Sequence, residues 1–129
     1  MGKKQGIWES RPTGDDLEAA RTYLEMVLED RTVSRIVASL RQASTIMLKA
    51  KDVLRASNLP LLEKDDPHVA QDLKRIEKRK KLSPVLLLRG DAMAGIPMTI
   101  ADGYHRICAS YHWDESCPVA CRLVAPLRR

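Results

Sequence analysis

The chain has 129 residues, 44% hydrophobic and 30% charged, a globular composition long enough for one domain with its own core and too short for two. Phenylalanine is absent and aromatics make up 4%, so the core falls to Leu, Ile, Val, Met and Ala, and a base-stacking platform is not expected. The net charge of +5, with its excess in residues 74–81 and at Arg128-Arg129, admits a polyanionic partner but also suits the cation preference of a helix C-terminus.

In chain order, Met1 to Gly6 lack the apolar stretch of a signal peptide, and no run reaches the roughly 20 apolar residues of a membrane span. Ile7 stands where a myristoylation signal would carry Ser or Thr after Gly2. A soluble cytoplasmic protein with no membrane partner is the expectation. Thr13-Gly14-Asp15-Asp16 has the form of a capping box, followed by Leu17, Ala20, Leu24, Val27 and Leu28 at helical spacing. A second helix is expected from about Thr32, with Val33, Ile36, Val37, Leu40 and Ala43 on one face, and the short Glu29-Asp30-Arg31 junction makes the pair a helical hairpin. Residues 1–44 are therefore read as a hairpin packed on a domain formed by residues 45–129.

In that domain, Thr45–Lys49 reads as a short strand and Asp52–Ala56 as a helical turn. An irregular stretch from Asn58 leads to Asp66, placed to cap a helix that starts at Pro67 and runs to about Lys80 with Val69, Ala70, Leu73 and Ile76 buried. Pro84-Val85-Leu86-Leu87-Leu88 is apolar throughout, the pattern of a central strand covered on both faces. After a loop at Gly90–Gly95, Pro97–Ala101 returns as its hairpin partner, with Met93 and Met98 expected to fill gaps nearby. The cysteines, Cys108, Cys117 and Cys121, fit reduced thiols. Cys117 and Cys121 share a strand face without a second ligand pair, so no metal centre is expected.

Asp102-Gly103 ends the second hairpin strand, and Tyr104 to Tyr111 reads as helix, with Ile107, Cys108 and Tyr111 toward the core. Free N–H groups at a helix start bind anions, and Gly103 allows close approach to the main chain. His105 and Arg106 lie in the first turn, where a cation opposes the helix dipole at a cost of a few tenths of a kcal/mol unless an anion compensates. Arg also offers a planar fork that matches phosphate oxygens. The same spacing equally lets Arg106 pair with Asp102, and both readings stand on the sequence. His68 and His112, near helix ends, are of a kind more often solvated or capping than catalytic.

From Thr45 to Val124 the chain resembles the ParB/sulfiredoxin superfamily. The resemblance is carried by Leu82-Ser83-Pro84-Val85-Leu86-Leu87, by Ile100 to Ala109 with its Gly103-Tyr104-His105-Arg106 turn, and by Pro118 to Val124. It implies an α+β fold in which a small mixed sheet is surrounded by helices, with the N-terminal hairpin added. It also implies a nucleotide, ATP or CTP, whose phosphates sit on Gly103, Tyr104, His105 and Arg106. Sulfiredoxin's reactive cysteine is replaced here by Tyr104, so sulfinic acid repair is not expected. The chain ends soon after the closing strand, without the DNA-binding extension of chromosome-partitioning relatives, so centromere binding is not expected either.

These readings leave three functions open. The first is a protein binding a nucleotide or another small phosphate-bearing ligand, with Asp65 or Asp66 holding Mg²⁺ or acting as base, His68 alongside, and phosphoryl transfer or hydrolysis as the reaction. The second is a metal-dependent nuclease using Asp102 and His105. The third is a non-catalytic module that binds nucleic acid or a protein through the basic helix at 74–81. A homo-oligomer is compatible with each. Taken together, the catalytic candidates are Asp102, His105 and Asp66, and the ligand-binding candidates are Gly103, Tyr104, His105, Arg106 and His68.

Overall fold

The apolar run that reads as a central strand is β2 (Val85–Leu88), and all four of its residues are buried. In the structure, a computed structural model that describes residues 8–126, β2 pairs in parallel with β4 (Pro118–Val124) and antiparallel with β3 (Thr99–Asp102). An edge strand, β1 (Ile46–Lys49), lies antiparallel on β4, giving the order β1-β4-β2-β3. The signal-peptide and Gly2 readings and Arg128-Arg129 fall outside the described residues.

Side chains alternate across a strand, so this sheet feeds two cores. Val85 and Leu87 of β2, Ile100 of β3, and Val119 and Cys121 of β4 point to one face. There they meet α3 (Ala50–Ser57), α4 (Pro67–Glu77) and α5 (Tyr104–Trp113) through Val53, Leu54, Val69, Ile76, Ile107 and Cys108. Leu86, Leu88, Ala101 and Val124 point the other way, onto Leu17, Ala20 and Leu24 of α1 (Gly14–Leu24) and Val33, Ile36, Val37 and Leu40 of α2 (Asp30–Gln42). The chain is thus a mixed α+β fold, a mixed sheet between helical layers. Among the described residues no helix is long and apolar enough to cross a membrane.

The hairpin meets the sheet through a buried cation. Arg122 of β4 is 5% exposed, and its guanidinium donates to the Leu40 and Arg41 carbonyls at the C-terminal end of α2, to Ser10 O and to Thr45 Oγ1. Orphan carbonyls and the negative end of the dipole are both satisfied there.

Five local expectations need correction. Helix α1 stops at Leu24, leaving Val27 58% exposed in the connecting turn, while α2 begins two residues before Thr32, at Asp30. The turn at Asp52–Ala56 is a full helix from Ala50 to Ser57. Helix α4 ends at Glu77 because Arg79 takes a left-handed φ of 57°. Met93, rather than filling a gap, is 98% exposed, since Ala92–Ala94 forms a short helical turn that projects from the sheet. Met98 does pack on the core, and its N–H donates to Ala56 O.

Candidate functional site

Two helix N-termini converge beside the end of β3. Helix α4 is closed by Asp66, whose carboxylate accepts from the His68 and Val69 N–H groups at 3.0 and 3.1 Å. The Val69 bond first, with the His68 bond, holds that carboxyl below its ordinary pKa. Helix α5 has no such closure. Its N-cap is Gly103, at φ 108°, with no side chain to accept from the first-turn amides.

Gly103 is required there for two reasons. Its φ lies where L side chains are strained, and a Cβ would stand 2.8 Å from Val85 Cγ2. Val85 is wholly buried and has nowhere to move. The glycine therefore lets the β3–α5 turn sit against the sheet.

A polar cavity of about 140 Å³ opens at this turn, lined by His68, Gln71, Asp72, Asp102, Gly103, His105 and Arg106. The His68 and His105 rings meet in a tilted contact, centroids 4.8 Å and planes 46° apart, which ties the start of α4 to the start of α5. Tyr104 turns away and donates its hydroxyl to the Pro60 carbonyl, so at that residue only the main chain is offered to the cavity.

Arg106 has an internal role. Nη2 lies 2.6 Å from Asp102 Oδ2 and 3.5 Å from Asp16 Oδ1, while Nη1 donates to the Ser83 carbonyl, the Ser83 hydroxyl and the Pro84 carbonyl. Its side chain is 11% exposed. One guanidinium thus joins α1, the segment before β2, the end of β3 and α5. The dipole argument for a compensating anion consequently rests on His105, because the charge of Arg106 is matched within the protein.

The carboxylates respond to this setting. Burial pushes Asp102 up to about 6, against the pull of Arg106 and with a further push from the neighbouring Asp16. Asp16 is also raised by burial, but the Ser83 hydroxyl, the Thr13 amide and Arg106 outweigh this and hold it low. Asp72 is raised by burial, with Arg106, Arg75 and the two histidines pulling the other way. At neutral pH the cavity therefore holds an Asp102 already paired and an Asp72 only partly compensated.

Of the residues singled out from sequence, the structure brings Asp102, Gly103, His105, Arg106 and His68 to one cavity. Asp66 is at its edge as a helix cap, and Asp65 is exposed in the preceding loop. His112 is engaged elsewhere, its Nε2 donating to Leu62 O at 2.6 Å. Gln71, Asp72, Asp16 and Ser83 were not anticipated as parts of the site. For Gln71 and Asp72 a signal existed, since they follow His68 by three and four residues on one helix face. Among the described residues no cluster of three or more His, Cys, Asp or Glu is arranged to hold a metal ion. The three cysteines are buried and form no disulfide among the described residues, and burial pushes Cys117 and Cys121 up to about 12.

Comparison with protein-family models, with curated proteins and with solved structures finds no match to this chain.

Proposed function

We propose that this protein binds the phosphate of a small ligand, in the first instance a nucleotide, at the Gly103–Arg106 turn. The observation that carries the reading is the uncapped N-terminus of α5 opening into a polar cavity whose wall includes two imidazoles in tilted contact. Main-chain N–H groups and the dipole attract an anion there, and each imidazole adds a donor and, when protonated, a charge. The resemblance of residues 45–124 to the ParB/sulfiredoxin superfamily, where the matching turn holds nucleotide phosphates, supports the same reading.

Size narrows it. The cavity of about 140 Å³, walled by polar side chains, suits a phosphoryl group better than a nucleoside. The phosphate enters and the rest of the ligand lies across the surface. Arg106 is a positioning residue in this scheme, holding Asp102 and the turn in place, while His105, His68 and the α5 amides meet the ligand. Asp72 stands where a bare phosphate would repel it, so Mg²⁺ arriving with a nucleotide strengthens binding.

Calorimetric titration with ATP, CTP, ADP and inorganic phosphate, with and without Mg²⁺, tests the proposal. Wild type binds at least one of them. His105→Ala loses about tenfold or more in affinity, as expected for a hydrogen bond to a charged group worth about 1.5–3 kcal/mol. Absence of binding, or affinity unchanged from wild type in both His105→Ala and His68→Ala, contradicts it.

A further inference from the structure

The +5 net charge of the whole chain equals the excess in one segment, since Lys74, Arg75, Lys78, Arg79, Lys80 and Lys81 face a single acid, Glu77. The rest of the sequence is balanced. Lys74 and Arg75 lie in the last turn of α4, where the dipole accounts for them. Lys78 to Lys81 lie beyond it, exposed, and among the described residues no carboxylate pairs with them.

Their arrangement is fixed. The Lys80 N–H donates to Arg75 O and the Arg79 N–H to Ile76 O, the paired closure of a helix by a left-handed residue. That residue is ordinarily glycine, yet here it is Arg79 at φ 57°. An exposed arginine holds this conformation at a cost in stability. Strain and unpaired charge are separate observations, and both single out this turn.

We propose that the turn at 78–81 is a docking site for the phosphate backbone of double-stranded nucleic acid. The segment contains no aromatic residue, so stacking on unpaired bases has no platform. Recognition is by charge and is indifferent to sequence. The site is separate from the cavity described above, whose lining on α4 reaches only to Asp72, six residues before Lys78 and about 9 Å away at 1.5 Å per residue. Either can fail without the other.

Fluorescence anisotropy with a labelled 20-base-pair duplex of mixed sequence, as DNA and as RNA, over a salt series provides the test. Four phosphate contacts give a slope of log K against log salt of about −3.6. Arg79→Gly relieves the strained conformation, so its melting temperature equals or exceeds wild type. Its affinity nonetheless falls about threefold and its slope shallows by about 0.9. Combined Lys78→Glu, Lys80→Glu and Lys81→Glu lowers affinity more than tenfold. The proposal is overturned by no binding of either duplex at 50 mM salt, by affinities that these substitutions leave unchanged, by tighter binding of the single strand, or by preference for phosphatidylserine vesicles over duplex.

Discussion

Replacing Arg106 by Ala separates a structural arginine from a ligand arginine. Truncation leaves Asp102 facing Asp16 with no cation between them, and removes the donor from two carbonyls and the Ser83 hydroxyl. The pair is part-buried, so breaking it on one side costs about 3 kcal/mol, the low end for a buried ion pair, a large part of the 5–15 kcal/mol typical of a domain. With a urea m-value of about 1–3 kcal/mol/M, the midpoint falls by about 2 M, readable from the fluorescence of Trp8 and Trp113. Because Asp102 shares the network, Arg106→Ala and Asp102→Asn together cost less than their separate sum, by about 1–2 kcal/mol. A stability within about 1 kcal/mol of wild type, with ligand affinity alone reduced, would refute this and make Arg106 a direct phosphate ligand.

Asp102 also predicts a pH dependence. Its folded pKa of about 6 exceeds the ordinary value of 3.8, so the folded state holds the proton more tightly. The resulting stabilisation is complete below 3.8 and is lost as pH rises through 6, by about 1–2 kcal/mol once solvent screening of this partly exposed group is counted. Asp16, shifted down, acts only below that window. Urea midpoints from pH 4 to 7 should fall more steeply in wild type than in Asp102→Asn; parallel profiles contradict the assignment. Gly103→Ala meets both a strained φ and the buried Val85 side chain, at a cost on the order of 2–3 kcal/mol. Gly95→Ala, strained in φ but with nothing within 4 Å of the added Cβ, costs about 1 kcal/mol, and thermal melts that rank them the other way would contradict the close approach at Gly103.

Local pattern carried much of the architecture. The apolar run at Val85–Leu88 marked a strand buried on both faces, the Thr13–Asp16 box marked the start of α1, and the strand–turn–helix at Asp102–Tyr104 is present. The site's supports were less legible, because they join residues far apart in sequence. Asp16 reads only as a helix cap, and its Oδ2 does accept from Thr13 N, yet its Oδ1 reaches Arg106 across 90 positions. Local spacing gives no sign of such a contact. Arg79 illustrates the opposite failure: a run of good helix formers predicts continuation, and a left-handed residue that composition does not announce ends the helix.

Amide chemical-shift mapping during titration with a Mg²⁺–nucleotide is the most direct test of phosphate binding at the α5 turn. The account predicts saturable shifts at the Gly103, Tyr104, His105 and Arg106 amides, with His68 following. Shifts confined to Lys78–Lys81, or none at a ligand excess of tenfold or so over the weakest affinity consistent with such sites, about millimolar, would contradict it.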